Sequence, residues 1–229
     1  MMRTLLYVPI IHTSADLGSL AEAVQKRGAA NMGKEAWVKH LGIIDGFWDA
    51  IARYFDSIDV SGMKIYQDGM VADGEIGEKI VKEGVRLGSK NYELVSGFLK
   101  AGAVLIKTED VELVKAEHEH ISAMTRDQSR ARKLLAYGKY KQAKDRLLKQ
   151  RDAYIAKRID ETLNDGEKGI LFIGAYHNVK TKLKADIDIV EVKDTEKIRK
   201  YQTLLPFAEK HRKELSALSD YLVSQAGAV

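Results

Sequence analysis

The chain has 229 residues, 45% of them hydrophobic, with two prolines, no cysteine and a formal net charge of +4. That length suits one large domain or two small ones, and the apolar content supports a sizeable core. Without cysteine there is no disulfide framework and no thiolate metal site, so any metal must be held by His, carboxylate, carbonyl or water, which suits a reducing cytoplasm.

Met1 to His12 has the charge and apolarity of a weak signal segment. It lacks a small-residue cleavage site, and its β-branched end fits a first strand from Arg3 to Ile11. No apolar run approaches the roughly 20 residues that span a bilayer. Ser14 and Asp16 are placed to cap a helix carrying Leu17, Leu20, Ala21 and Val24 on one face. A second helix is predicted from about Lys34 to Phe55. Its Trp37, Leu41, Ile44, Phe47, Trp48, Ile51 and Phe55 recur every three or four residues, the spacing of a core stripe. Met63 to Tyr66 reads as a short strand, followed by Gln67, Asp68 and Gly69.

Asp73 and Glu75 open a helix ending near Gly88, and another covers about Asn91 to Lys100. Ala103 to Ile106 is a third strand, and Thr108, Glu109 and Asp110 form a helix start. Helical pattern then runs to Met124, and again from Asp127 to Leu163 with Gly138 as its weak point. After a turn at Asn164-Asp165-Gly166 come a strand from Gly169 to Ile173 and another from Ile187 to Val192. Asp194 caps a helix that Pro206 stops, and a last helix reaches about Ser224. Strands alternating with helices predict a single α/β domain over residues 1–229. Its mostly parallel sheet is flanked by helices, with a long helical insertion at about 109–163.

Two histidines follow central strands at once: His12 after the first, and His177 three residues past Gly174. In open α/β sheets, ligands bind outside the carboxyl ends of the strands. Asp68 and Glu109 also follow strands, although Asp68-Gly69 is equally a turn pair and Glu109 equally a helix cap. Two imidazoles and a carboxylate can hold a divalent metal with an open position, or act as general acid and base without one. Gly174 lets the backbone turn sharply and approach a ligand closely. Arg151 and Arg158 are seven residues apart and share a helix face, where they can reach an anion or form surface ion pairs.

Other signals are weaker. His118 and His120 point in different directions on a helix, and His40 and His211 are expected at the surface. Basic residues between Arg126 and Arg158 far outnumber acids, but apolar residues at helical spacing among them favour a solvated face over nucleic acid. There is no phosphate-binding glycine loop and no Gly-x-Ser-x-Gly elbow.

The run Arg-Asp-Ala-Tyr-Ile-Ala-Lys-Arg-Ile-Asp-Glu-Thr-Leu from Arg151, then a glycine turn, an apolar strand and Gly-Ala-Tyr-His, resembles the C-terminal half of TraB/Tiki proteins. That family belongs to a wider group with the haem-binding ChaN proteins and the erythromycin esterases. Its pattern pairs two Gly-x-x-His motifs with a strand ending in an acidic residue and an Arg-rich helix. The second motif is Gly174 to His177; in the first, Pro9 stands for glycine ahead of His12, and Asp68 stands for glutamate.

The resemblance implies an α/β fold and a metal-dependent hydrolase acting on a small molecule or peptide. His12, Asp68 and His177 would hold Mn, Co or Zn or activate water. Arg151 would stabilise negative charge, and Gly174, Tyr176 and Arg158 would contact substrate. Two other readings share the scaffold: a small-molecule or haem-type binding protein with the chemistry lost, and an interaction protein using the long basic helix. A cytoplasmic homo-oligomer is compatible with all three.

Overall fold

A computed structural model describes residues 2–13, 15–16, 26, 28, 30, 33–125 and 130–227, with backbone alone at 124, 125, 130–136 and 139. Its five strands are β1 (Arg3–Ile10), β2 (Lys64–Gln67), β3 (Val104–Ile106), β4 (Lys168–Gly174) and β5 (Ile187–Glu191). They form one sheet in the order β3-β2-β4-β1-β5, and every pairing is parallel. The α/β architecture expected from the alternation of patterns is therefore the one the chain adopts.

Among the described residues there are seven α-helices. They are α1 (Lys34–Phe55), α2 (Gly74–Arg86), α3 (Lys90–Lys100), α4 (Val111–Thr125), α5 (Arg130–Thr162), α6 (Thr195–Leu204) and α7 (Arg212–Val223). None of the helices is long and apolar enough to cross a membrane. The helix expected to carry Leu17, Leu20, Ala21 and Val24, with its cap at Ser14, lies outside the described residues. Asp16 binds the backbone N–H of Thr13 at 2.6 Å and also accepts from the Ser89 hydroxyl.

Parallel strands covered on both faces are apolar throughout rather than alternating. β1 and β4 follow this rule. Leu6, Val8 and Ile10 of β1, with Ile170 and Phe172 of β4, face a core shared with α1, α3, α6 and α7. Leu5, Tyr7, Leu171 and Ile173 face the other way, onto Ile155, Ala156 and Ile159 of α5 and Leu163 just past its end. The segment expected as an insertion thus ends as a core element: the C-terminal part of α5 covers one face of the sheet.

Proline is unusual in a central strand because it offers no ladder N–H. Here the register explains it. The last β1–β5 pair is Tyr7 with Glu191, and the Val192 N–H closes that side on the Tyr7 carbonyl at 2.9 Å. Pro9 shares the parity of Tyr7, so its missing donor faces the side where β5 has ended.

Local signals set the helix ends. Asp194 accepts from the N–H groups of Glu196 and Lys197 at 2.8 and 3.0 Å, and the Ser89 hydroxyl accepts from Tyr92 N–H at 3.2 Å. Asp110, rather than Glu109, caps α4, accepting from the Glu112 N–H at 2.8 Å. α1 and α7 pack so closely at Gly46 that an added Cβ would sit 2.8 Å from Val223 Cγ1.

His40 departs from its expected surface position. It is buried, and its Nδ1 lies 2.8 Å from the Tyr201 hydroxyl. Burial pushes its pKa down to about 4. A histidine depressed in the folded state costs stability as pH falls below its unfolded value, because the unfolded chain takes up the proton first. Between pH 6.5 and 4 this should remove about 3 kcal/mol. The unfolding free energy of His40→Phe should therefore fall less steeply over that interval than that of the wild type; parallel curves would refute the assignment.

Candidate functional site

The carboxyl ends of β1, β2, β3 and β4 deliver one cluster of side chains, and α5 closes over it. β2 ends at Gln67, and Asp68 follows with its N–H bonded to the Phe172 carbonyl of β4 at 2.8 Å. Asp68 is buried. Its Oδ2 accepts from the Gly174 N–H at 3.0 Å and lies 3.4 Å from His12 Nε2 and 3.7 Å from His177 Nε2. The two histidines expected at one edge of the sheet both face this carboxylate. His177 is buried, whereas the His12 side chain is 38% exposed and forms the open side of the cluster.

Gly174 matters for approach rather than for turning, since its φ is not positive. A Cβ there would lie 3.1 Å from Asp68 Oδ2, 3.4 Å from His12 Nε2 and 3.5 Å from His177 Cδ2. A side chain there would press on the Asp68 carboxylate, whereas its contacts with the two imidazoles would be ordinary ones.

Arg151 reaches the cluster from α5. Its Nη2 donates to Asp68 Oδ1 at 2.6 Å and to Glu109 Oε1 at 2.5 Å, and its Nε donates to Glu109 Oε2 at 3.1 Å. Its Nη1 donates to Glu117 of α4. The planar guanidinium thus forks onto Glu109 while bridging two further carboxylates, which a lysine cannot reproduce. Glu109 is fully buried, and its Oε1 is also 3.4 Å from the Gly69 N–H. Asp68 and Glu109, the two carboxylates read as alternatives in the sequence, are both in the cluster.

Asp152 is the residue that sequence reasoning missed. It is buried, its Oδ1 lies 2.6 Å from His177 Nδ1, and its Oδ2 accepts from the Asn178 N–H at 2.9 Å. With Nδ1 held there, His177 turns Nε2 toward Asp68. A carboxylate behind an imidazole fixes its tautomer and raises its basicity, as in metal-bound and catalytic histidines.

The electrostatics are those of a crowded acidic pocket. Burial penalises the charge on Asp68, but His177, His12 and Arg151 outweigh it and hold its pKa well below the usual carboxylate range. Burial raises the pKa of Glu109 in spite of Arg151. Burial also opposes charge on both histidines, yet Asp68 lifts the pKa of each, with Asp152 adding to the effect at His177.

Three ligand atoms, one each from Asp68, Glu109 and His177, lie within 4.8 Å of one another and could hold a metal ion. Glu109 thus stands with Asp68 and His177 in this group, and His12, also expected as a ligand, lies beside it with Nε2 3.4 Å from Asp68 Oδ2. The two side chains expected to contact substrate besides Gly174 have partners outside the carboxylate cluster. Arg158 donates from Nε to the Lys107 carbonyl at 3.1 Å, just past the end of β3, and from Nη1 to Glu161 at 3.0 Å. Tyr176 is exposed, with its hydroxyl 3.3 Å from Thr203 Oγ1 and Lys144 Nζ 5.6 Å from its ring centroid. Lys157 also pairs with Glu161, as a solvated basic face would.

Comparison of the chain with protein-family models, with curated proteins and with solved structures finds no match.

Proposed function

We propose that this chain is a metal-dependent hydrolase of the TraB/Tiki type, acting on a small molecule or peptide. The observation that carries the proposal is the charge balance. Asp68, Glu109, Glu117 and Asp152 converge on one guanidinium and two imidazoles. Buried charge needs compensation. Without a cation that compensation falls to protons on His12 and His177, which is the direction in which both are shifted.

The donor set fits a divalent ion such as Mn, Co or Zn: hard carboxylate oxygens with one imidazole whose far nitrogen is already tied to a carboxylate. Asp68, Glu109 and His177 would hold it, and a metal there lowers the pKa of bound water toward ~7. The remaining roles belong to the chain's own groups. Asp152 holds a proton on His177 Nδ1. His12, partly open to solvent, is placed to exchange a proton at Nε2 with water or a leaving group. Arg151 keeps the carboxylates together and offers positive charge beside developing negative charge.

One observation favours a different reading, a binding protein with the chemistry lost: Arg151 takes both Glu109 oxygens. The two readings separate by experiment. Purified protein should carry Mn, Co or Zn in stoichiometric amount, hydrolyse members of an ester, lactone and peptide panel, and lose both properties as His177→Ala. A well-folded wild type that takes up no metal and hydrolyses nothing would leave the binding reading in its place.

Gly174→Ala tests the same geometry more gently. The added methyl must push the Asp68 carboxylate aside by a few tenths of an ångström. Metal affinity should drop about tenfold, since small misplacements of reacting groups are costly. The melting temperature should change little, and an unaltered affinity would show that the close approach has no role in binding.

A further inference from the structure

A second cavity lies away from the strand-end cluster, between α1 and α7 on the face of the sheet opposite α5. Its volume is about 300 Å³, at the lower end of the range for small-molecule pockets. Ile43, Leu205, Ala208 and Leu215 give it apolar walls. The buried His40 and Tyr201 line it as well, held to each other at 2.8 Å through His40 Nδ1.

The charged side chains that line this cavity are Lys39 and Arg212, and no carboxylate lines it. Both are exposed, and neither has an ion-pair partner among the described residues. The nearby Lys200 and Arg199 of α6 are, by contrast, paired with Glu214 and Glu196. An apolar hollow with two unpaired cations on its exposed lining and no carboxylate fits an apolar body with a single anionic head.

We propose that the cavity between α1 and α7 is a binding site for a small amphipathic carboxylate, its chain against Ile43, Leu205 and Leu215 and its head between Lys39 and Arg212. This site is independent of the reading given to the strand-end cluster. Two unpaired cations supply long-range attraction for the head, and the apolar walls supply burial for the tail.

The test is titration of the full chain with octanoate and, separately, octanol, followed by calorimetry or by line broadening of the ligand's NMR signals. Octanoate should bind saturably with one-to-one stoichiometry and more tightly than octanol. Ser216→Trp, which places an indole in the cavity from an exposed lining position, should weaken octanoate by about tenfold or more at an unchanged melting temperature. The double substitution Lys39→Gln with Arg212→Gln should remove the preference for octanoate over octanol while leaving octanol binding in place. Failure of octanoate to saturate the wild type, or equal affinity in Ser216→Trp, overturns the site. Equal affinity of the wild type for octanol and octanoate overturns the carboxylate assignment.

Discussion

Arg151→Ala is expected to lower the stability of the protein by about 3–5 kcal/mol near neutral pH, the usual cost of removing one partner from a buried ionic network. The guanidinium is buried and bonded to Asp68, Glu109 and Glu117, so its loss strands three carboxylates together. For a domain of this length the melting temperature should fall by roughly 10 °C or more. Arg151→Lys should land between, because one ammonium replaces the charge but not the fork onto Glu109. The ion-pair geometry places a large share of the cost of the lysine variant in folding as well as in ligand binding.

The pH dependence gives the variant a signature. In the wild type Asp68 is depressed, so its stabilising effect is present above its unfolded pKa and is lost as pH falls through the folded value. His12 and His177 are raised, so theirs is full below the unfolded histidine pKa and is lost as pH rises through the folded values. Removing Arg151 takes away a cation that lowers the pKa of both Asp68 and Glu109, so both carboxylates shift upward. A carboxylate raised by folding is stabilising only when protonated. The deficit of Arg151→Ala should therefore shrink from pH 7 toward pH 5. A melting temperature equal to wild type at pH 7, or a deficit that widens on acidification, would sink this account.

The strands and most helices could be read directly because their signals are local. The apolar runs of β1 and β4, the stripe from Trp37 to Phe55 and the Asp194 cap need no knowledge of the rest of the chain. The strand-end positions of His12, Asp68, Glu109 and His177 were legible for the same reason, since parallel strands must deliver their carboxyl ends to one edge. Two buried polar residues were not. Asp152 lies in line with Ile155, Ile159 and Leu163 on the core face of α5, and His40 lies in line with Ile44, Phe47 and Ile51 on α1. A polar residue that continues an apolar stripe is a signal of burial with a partner. The partner, His177 or Tyr201, becomes visible only once the helix has docked. Arg158 shares a helix face with Arg151, and the contacts that hold it, the Lys107 carbonyl and Glu161, likewise become visible only in the folded chain.

Asp152→Asn should change the site with little change in fold. Asparagine keeps the shape and an oxygen for the Asn178 N–H, but it loses the carboxylate that holds His177 Nδ1 at 2.6 Å. In the metal-free protein the first consequence is a lower pKa for His177, because one of the two carboxylates that raise it is gone while Asp68 and the opposing burial remain. Titration of the histidine ring signals by NMR should show that fall directly, with His12 moving less, since Asp152 is not among the groups that lift it. The second consequence is weaker metal binding, by about 10–100-fold, the usual effect of losing a partner behind a ligating histidine. Ligation requires the neutral imidazole, so wild-type affinity should rise with pH through the elevated His177 pKa, and in Asp152→Asn that rise should begin at lower pH. The wild-type advantage is therefore smallest at acid pH and largest above the His177 pKa, where intrinsic affinity alone decides. Calorimetric titration with Mn or Zn from pH 6 to 8.5 reads both effects. If the two proteins bind metal equally at pH 8.5, Asp152 does no more than orient a structural histidine, and the metal-ligand role of His177 falls with it.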